Sequence, residues 1–185
     1  MSYDTDREIV LGCLVGEEAA FEVLLGRYQV RVFSFVARLA GNESDAEDLC
    51  QEIFLKAFVN LEAYDQERPL ISWLLGIAHN CVVDSLRSRK PGVSFDDAEA
   101  AFDPPDPGQA VEKVVQSALD QQTFEGLIAE LPERYREAML LRHLEELDYA
   151  AMADVLGLPQ GTVKIRLFRA REMMRKRLQA LGYGP

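Results

Sequence analysis

The chain has 185 residues, of which 48% are hydrophobic and 28% are charged, and its formal net charge is -11. This composition is ordinary for a soluble protein and supplies enough apolar side chains for one compact domain or two small ones. No stretch approaches the roughly 18 to 20 uninterrupted apolar residues that a membrane-spanning helix requires. Asp4, Asp6 and Glu8 stand where an export signal would carry a basic segment, so we predict a cytoplasmic protein.

The first half of the chain predicts a helical domain. Apolar residues recur at helical intervals almost throughout, and no run alternates as a strand would, so the predicted fold class is all-α. Ser44, followed three residues later by Glu47, predicts a capping box at the start of the third helix. A polar segment that ends at Pro69 separates that helix from the next. The predicted helices cover residues 4–15, 17–39, 45–60 and 71–87.

The middle of the chain is acidic and rich in proline. Between residues 93 and 125, eight acids face a single lysine, and the run Pro-Pro-Asp-Pro-Gly at residues 104–108 interrupts any helix. We therefore predict two small helical domains joined by a flexible acidic linker. Pro132 is placed to begin a helix of the second domain. The predicted boundaries are 1–92 for the first domain, 93–111 for the linker and 112–185 for the second domain.

The last part of the chain has the layout of a helix-turn-helix. Residues 150–177 read as one helix, a sharp turn at Gly157 and a second helix, in which an apolar stripe marks the buried side. The stripe consists of Val163, Leu167, Ala170 and Met174. The outer face is then expected to comprise Gly161, Thr162, Ile165, Phe168, Arg169 and Glu172, with Lys164, Arg166 and Arg171 on its flanks.

Positive charge is concentrated at this end of an acidic chain. From Gly157 onward seven cations stand against Glu172 alone, which indicates contact with a polyanion. A solvated basic helix that closes a small bundle would carry the same charges. The helix and glycine turn that precede it favour duplex DNA as the partner.

Side chains typical of metal or covalent chemistry are scattered. Cys13, Cys50 and Cys81 form no Cys-x-x-Cys pair, and the two histidines lie far apart in the sequence, so we predict buried reduced thiols and no metal site. The sequence has no glycine-rich phosphate loop and no nucleophile with an adjacent base. We therefore expect no enzymatic activity and no cofactor.

Three segments carry a family resemblance. They are Asp-Ala-Glu-Asp-Leu-Cys-Gln-Glu-Ile-Phe-Leu-Lys-Ala-Phe at residues 45–58, Trp-Leu-Leu-Gly-Ile-Ala-His-Asn at residues 73–80 and Gly-Thr-Val-Lys-Ile-Arg-Leu-Phe-Arg-Ala-Arg at residues 161–171. In this order and at this separation they resemble a bacterial RNA polymerase sigma factor of the extracytoplasmic-function (ECF) group. The resemblance covers nearly the whole chain, with the first domain similar to conserved region two and the second to region four.

The resemblance implies a role for the third predicted helix in docking on core RNA polymerase, at the clamp of the beta-prime subunit, with the beta subunit as a further contact. The helix has an acidic face that repels DNA, which agrees with a basic protein surface as its partner, although a solvated face would look the same. The residues expected to bind polymerase are Asp45, Asp48, Gln51 and Glu52.

The resemblance further implies that the first domain opens the minus-ten element of a promoter and holds a base flipped out of the stack. Taken alone, Trp73 also fits a core position and Asn80 an ordinary surface position. Arg87, Arg89 and Lys90 are expected to hold phosphates beside the flipped base. The full set expected at the minus-ten element is Tyr64, Trp73, Asn80, Arg87, Arg89 and Lys90.

The second helix of the helix-turn-helix is expected to contact the minus-thirty-five element in duplex DNA. The residues expected there are Gly161, Thr162, Lys164, Ile165, Arg166, Phe168, Arg169 and Arg171. Ile165 departs from the small hydroxyl residue that is usual in the family, and it can touch a thymine methyl but cannot form a hydrogen bond.

Sigma factors of the ECF group are commonly held inactive by an anti-sigma protein, so the resemblance implies such a partner here. The alternative function is a stand-alone transcriptional regulator that binds DNA as a dimer through the same helix-turn-helix, and that reading predicts specific DNA binding without polymerase.

Overall fold

The structure is a computed structural model that describes residues 3–89 and 121–182, and all regular secondary structure in these ranges is helical. The predicted all-α fold is confirmed. The chain divides into two compact units, Met1–Pro91 and Gly92–Pro185, called unit 1 and unit 2 below. Lys90, the predicted linker 93–111 and the predicted start of the second domain at residue 112 lie outside the described residues.

Unit 1 is a helical bundle centred on its longest helix. Helix α2 packs against α1, α3 and α4, and α3 also packs against α4. The inner side of α2 includes Leu24, Val32 and Phe35, which are fully buried. Each such side chain contributes roughly 1.5 to 3 kcal/mol by leaving water. The elements are α1 (Asp6–Leu14), α2 (Glu18–Ala40), α3 (Glu43–Val59), a 3-10 turn (Leu61–Ala63) and α4 (Leu70–Arg89).

Helix α3 begins earlier than the sequence predicts. Gly41 ends α2 in the left-handed conformation, with a φ of 84°, and leaves Asn42 extended before α3. The Asn42 side-chain oxygen accepts a hydrogen bond of 2.7 Å from the backbone N–H of Asp45, which is the bond of an N-cap residue. The predicted capping box of Ser44 and Glu47 is therefore wrong, because the chain turns into the helix two residues earlier.

The three cysteines are buried free thiols, as predicted. Burial raises the pKa of Cys13 and of Cys50 to about 11, so both thiols keep their protons at neutral pH. Cys81 on α4 lies 3.4 Å from the Lys56 ammonium on α3. The thiols of unit 1 thus act as small apolar packing groups.

Unit 2 contains the helix-turn-helix. Its described helices are α5 (Gln121–Ala129), α6 (Glu133–His143), α7 (Tyr149–Leu156) and α8 (Gln160–Ala180), with α7 and α8 as the pair that the sequence predicts. Gly157 forms the turn between them with a φ of 63°, a conformation that favours glycine. Pro132 directly precedes α6, as predicted. Helix α8 packs against α5, α6 and α7, and within the described ranges no helix is long and apolar enough to cross a membrane.

Candidate protein and nucleic-acid interfaces

The acidic face of α3 is exposed to solvent. Asp48, Gln51 and Glu52 are exposed, and the Glu52 carboxylate pairs with the Lys56 ammonium one turn later at 2.7 Å. The placement of these three predicted residues on an open surface is therefore as expected. Asp45 differs, because it is half-buried at the start of the helix.

The same face of α3 carries apolar side chains that the sequence analysis missed. Leu55 is 65% exposed and Val59 is 82% exposed. The spacing 48, 52, 55 and 59 follows the steps of four and three residues that place side chains along one side of a helix. From this spacing, the sequence alone could have identified Leu55 and Val59 as part of the face. Large apolar side chains on an open helix face, bordered by charge, are typical of a protein-binding surface.

Asp45 and Arg89 form an ion pair across the bundle. The Arg89 guanidinium, in the last turn of α4, contacts the Asp45 carboxylate in the first turn of α3. The side chain of Arg89 remains half exposed at 50%. The structure thus brings together one residue assigned to polymerase and another assigned to DNA, which the sequence analysis treated as separate surfaces.

Trp73, Asn80 and Arg87 lie along one side of α4. They are seven residues apart, and two helical turns return to nearly the same face. Asn80 and Arg87 are exposed, whereas Trp73 is half-buried. An amide, an aromatic ring and a guanidinium are the groups that bind, stack on and neutralise single-stranded DNA. This side of α4, where the sequence analysis expects the flipped base to bind, is named the base-capture face.

Tyr64 is placed differently from the other residues expected at the minus-ten element. Its side chain is only 8% exposed, and its hydroxyl donates a hydrogen bond to the backbone carbonyl of Arg68. Its ring lies 5.4 Å from the Trp73 ring, with the two planes inclined at 51°. Tyr64 therefore supports the base-capture face from beneath and does not form part of its surface.

Two residues of α8 do not lie where the helical projection puts them. Ile165, expected on the outer face, is only 5% exposed, and Arg166, expected on a flank, is 1% exposed. Helix α8 contacts three other helices of unit 2, so its buried sector is wider than a single apolar stripe. Arg166 lies three residues after Val163 and four before Ala170, and it therefore belongs to the buried stripe by spacing.

The remaining residues of the expected minus-thirty-five surface keep some exposure. Gly161 and Lys164, in the first turns of α8, are exposed. The half-buried members are Thr162, Phe168, Arg169 and Arg171. The predicted stripe of Val163, Leu167, Ala170 and Met174 is buried as expected. Because Ile165 and Arg166 are buried, the surface that α8 presents is smaller than expected.

Two tyrosines of unit 2 each lie beside a pair of cations. The Lys164 ammonium and the Arg142 guanidinium each lie 5.6 Å from the centre of the Tyr149 ring. The Arg142 guanidinium also donates a hydrogen bond of 2.9 Å to the Leu147 carbonyl, which holds it in place. Arg142 and Tyr149 precede the turn at Gly157, outside the basic run, so counting charges after that turn could not identify them.

The second group is centred on Tyr135. The Arg134 guanidinium lies 4.8 Å from the centre of its ring and donates to its hydroxyl at 3.1 Å. Arg169 on α8 donates to the same hydroxyl at 3.5 Å. A guanidinium held by an aromatic neighbour is restricted in advance, which lowers the entropy that contact with an anionic ligand would cost.

Further along α8 the positive charge is partly neutralised. The Arg175 guanidinium pairs with the Glu172 carboxylate at 3.0 Å, and that bond lowers the pKa of Glu172. Arg177 pairs at 2.7 Å with Glu130, which directly follows α5. The cations that lie closest to the start of α8 are therefore the better candidates for contact with a polyanion.

Comparison with known proteins supports both units. The chain matches the families Sigma-70 region 2 over residues 24–91 and Sigma-70, region 4 over residues 121–174. The ECF RNA polymerase sigma factor SigW of Bacillus subtilis (strain 168) is 32% identical over 173 residues, which cover 90% of this chain and 92% of that protein.

Two solved structures are similar across most of the chain. The structure of CnrH in complex with the cytosolic domain of CnrY has a TM-score of 0.67 and 26% identity, and the match covers 96% of this chain and 99% of CnrH. The sigma factor RpoE in complex with the anti-sigma factor NepR, from Bartonella quintana, has a TM-score of 0.64 and 26% identity, over 86% of this chain and 96% of RpoE. This chain belongs to the ECF group of RNA polymerase sigma factors.

Proposed function

We propose a division of labour between the two units of this sigma factor, which binds core RNA polymerase and directs it to specific promoters. Unit 1 docks on polymerase through the exposed face of α3 and opens the minus-ten element at the base-capture face of α4. Unit 2 holds the minus-thirty-five element against the start of α8. The observation that carries this proposal is the opposite chemistry of the two helices, acidic and apolar on α3 and cationic at the start of α8.

The docking surface comprises more than the acids. Asp48 and Glu52 supply charge for a basic partner, while Leu55 and Val59 supply apolar area. Apolar contact provides affinity, whereas the charges determine orientation and the rate of encounter. Polymerase is therefore gripped by a mixed face whose apolar part lies toward the end of α3.

At the minus-thirty-five element, contacts with the DNA phosphates position the protein. Lys164, Arg142 and Arg169 neutralise phosphates, and Tyr149 and Tyr135 hold these cations in position. Contacts of this kind fix the register of the protein on duplex DNA without reading sequence. Base contacts then fall to the exposed and half-buried side chains between Gly161 and Arg171.

The net charge explains why the protein needs polymerase, in addition to its own cationic surface, to bind DNA. A chain with a formal charge of -11 is repelled from DNA at long range, so the cationic surface of unit 2 binds weakly when the protein is free. Polymerase supplies the missing affinity. The protein works in the cytoplasm, and no covalent chemistry is required of it.

The protein is also expected to be held by an anti-sigma factor, as its relative RpoE is in the solved complex. Such a partner would cover apolar side chains such as Leu55 and Val59 that free unit 1 exposes. A pull-down from the native host that recovers polymerase alone would count against this part of the proposal.

A crossed pair of variants tests the division of labour. Asp48→Arg is expected to weaken binding to core polymerase about tenfold, since it reverses a charge in the docking face, while leaving the choice of upstream element unchanged. Lys164→Ala is expected to leave polymerase binding unchanged, to weaken holoenzyme binding to the minus-thirty-five duplex, and to reduce the salt slope by about one. Core binding is measured by titration and DNA binding by gel shift at several salt concentrations.

Matched controls separate these effects from net charge. Glu22→Arg makes the same charge change on an exposed position of α2, and Lys176→Ala removes an exposed cation near the end of α8. Neither control should reproduce its partner's defect. The same defect in both test variants would mean that the surfaces are wrongly assigned, and strong specific DNA binding by the protein without polymerase would favour the stand-alone regulator.

A further inference from the structure

Tyr64 is buried directly beneath the segment that joins the 3-10 turn to α4. Its backbone N–H donates to the Leu61 carbonyl at 3.1 Å, which fixes the start of the segment. Its hydroxyl contacts the Arg68 carbonyl four residues later, so the side chain closes residues 65–68 into a loop. Burial raises the pKa of Tyr64, and the hydroxyl therefore keeps the proton that it donates.

The loop also has an internal hydrogen-bond network. The Glu67 N–H donates to a side-chain oxygen of Asp65 at 3.0 Å, and the Arg68 N–H donates to the Asp65 carbonyl at 3.1 Å. The residues from 65 to 69 are all exposed. Within the described part of unit 1, Tyr64 is thus the buried aromatic residue that connects this exposed loop to the Trp73 ring.

We infer that Tyr64 is a positioning residue for capture of the minus-ten base, one that shapes the loop and orients Trp73 without touching DNA itself. The inference rests on the proposed role of the base-capture face. An exposed loop that is unrestrained loses backbone conformational entropy when it closes on a ligand. A tether formed before DNA arrives reduces this cost and leaves more of the contact energy for affinity.

The decisive variant is Tyr64→Phe, which keeps the ring against Trp73 and removes only the hydroxyl. One hydrogen bond of this kind contributes on the order of a fivefold change in an equilibrium. The holoenzyme carrying Tyr64→Phe is therefore expected to bind a single-stranded minus-ten oligonucleotide about fivefold more weakly. Binding to core polymerase and to the minus-thirty-five duplex should stay unchanged.

Tyr28→Phe is the matched control. Tyr28 is also buried in unit 1, and its hydroxyl donates a hydrogen bond to the Asp6 carboxylate and not to the loop. Removing it costs a comparable hydrogen bond in the same unit. If both variants lower the affinity for the oligonucleotide equally, the effect is general stability and the inference is overturned.

Two further measurements report on the loop before DNA is present. Amide hydrogen exchange of Glu67 and Arg68 in the free protein should accelerate in Tyr64→Phe and not in Tyr28→Phe, a change that a pure DNA contact would not produce. Trp73 is the sole tryptophan of the chain, so its emission reports on this site alone. The emission should shift in Tyr64→Leu and not in Tyr64→Phe, because only the former removes the ring.

The outcomes distinguish this inference from the proposed function beneath it. If Asn80→Ala and Trp73→Ala leave binding of the oligonucleotide unchanged, the base-capture face itself is wrongly assigned. If those variants weaken binding while Tyr64→Phe leaves both affinity and exchange unchanged, the face stands and the positioning role of Tyr64 is overturned.

Discussion

Helices α3 and α8 both carry a run of like charge, but they present that charge differently. On α3 the acids Asp48 and Glu52 lie on an open face. On α8 one cation, Arg166, is buried, and two others are paired with carboxylates of unit 2. The number of charges in a segment is therefore a poor measure of the charge that reaches a partner. Packing around the helix decides which charges remain available.

The largest expected effect separates two neighbouring cations of α8. Arg166→Ala is expected to destabilise unit 2 by about 3 kcal/mol, because it removes a large, fully buried side chain and leaves a cavity in its place. Lys164→Ala should change stability by no more than about 0.5 kcal/mol, since Lys164 is exposed. Trp73 lies in unit 1, so unfolding of unit 2 is followed by hydrogen exchange of α8 amides.

Arg166→Met serves as the control for volume. It keeps most of the aliphatic stem and removes the charge, so it is expected to retain more stability than Arg166→Ala. If Arg166→Ala leaves α8 as protected as before but abolishes binding to the minus-thirty-five duplex, Arg166 reaches DNA after all. The contrast between α3 and α8 would then be lost.

Much of this arrangement is predictable from the sequence, because it follows from periodicity. The apolar stripes of α3 and α8 mark buried sides that the structure confirms. Arg166 could have been assigned correctly from its spacing to Val163 and Ala170. Ile165 could not, since it lies opposite the stripe and its burial depends on tertiary packing that a helical projection does not contain.

Contacts between segments that are distant in the chain are also not predictable from the sequence. Tyr64 lies in an irregular segment, where no repeat indicates which side is buried. Asp45 and Arg89 lie at the start of one helix and the end of another, and their meeting depends on how α3 and α4 pack. Their residue types favoured two separate partners, and only the packed bundle shows that they pair with each other.

A smaller expected effect is a loss of stability in acid, which distinguishes unit 2 from unit 1. His143 on α6 packs against the edge of Phe124, with ring centres 5.4 Å apart, and burial lowers its pKa to about 4. The unfolded chain has a histidine pKa of about 6.5. Between these two values the unfolded state binds a proton that the folded state does not, so unit 2 loses stability as the pH falls through this window.

The expected loss is on the order of 2 to 3 kcal/mol between pH 7 and pH 4, measured by denaturation followed through the exchange of unit 2 amides. His143→Gln should flatten this pH dependence. His79→Gln removes the other histidine of the chain, which lies in unit 1. This variant should leave the pH dependence of unit 2 unchanged. An unchanged pH dependence in His143→Gln would assign the acid sensitivity to carboxylates instead.

The smallest effect tests whether the charges of α3 act on one partner or two. Asp45→Asn removes the carboxylate that pairs with Arg89, and a partly exposed pair of this kind contributes at most about 1 kcal/mol. If Arg89 holds a phosphate, freeing it should raise holoenzyme affinity for the minus-ten oligonucleotide two- to threefold. The gain should vanish in the double variant Asp45→Asn/Arg89→Ala, because it depends on the freed guanidinium.

Asp48→Asn is the control variant for Asp45→Asn. It removes an equal charge one turn along α3, where no cation of α4 is paired with it among the described contacts, so it should weaken polymerase binding and leave the oligonucleotide affinity unchanged. If Asp45→Asn also weakens polymerase binding without any gain on DNA, Asp45 belongs to the docking face as the sequence predicts. A gain on DNA with polymerase binding intact instead places the boundary between the two surfaces of unit 1 within the first turns of α3, between Asp45 and Asp48.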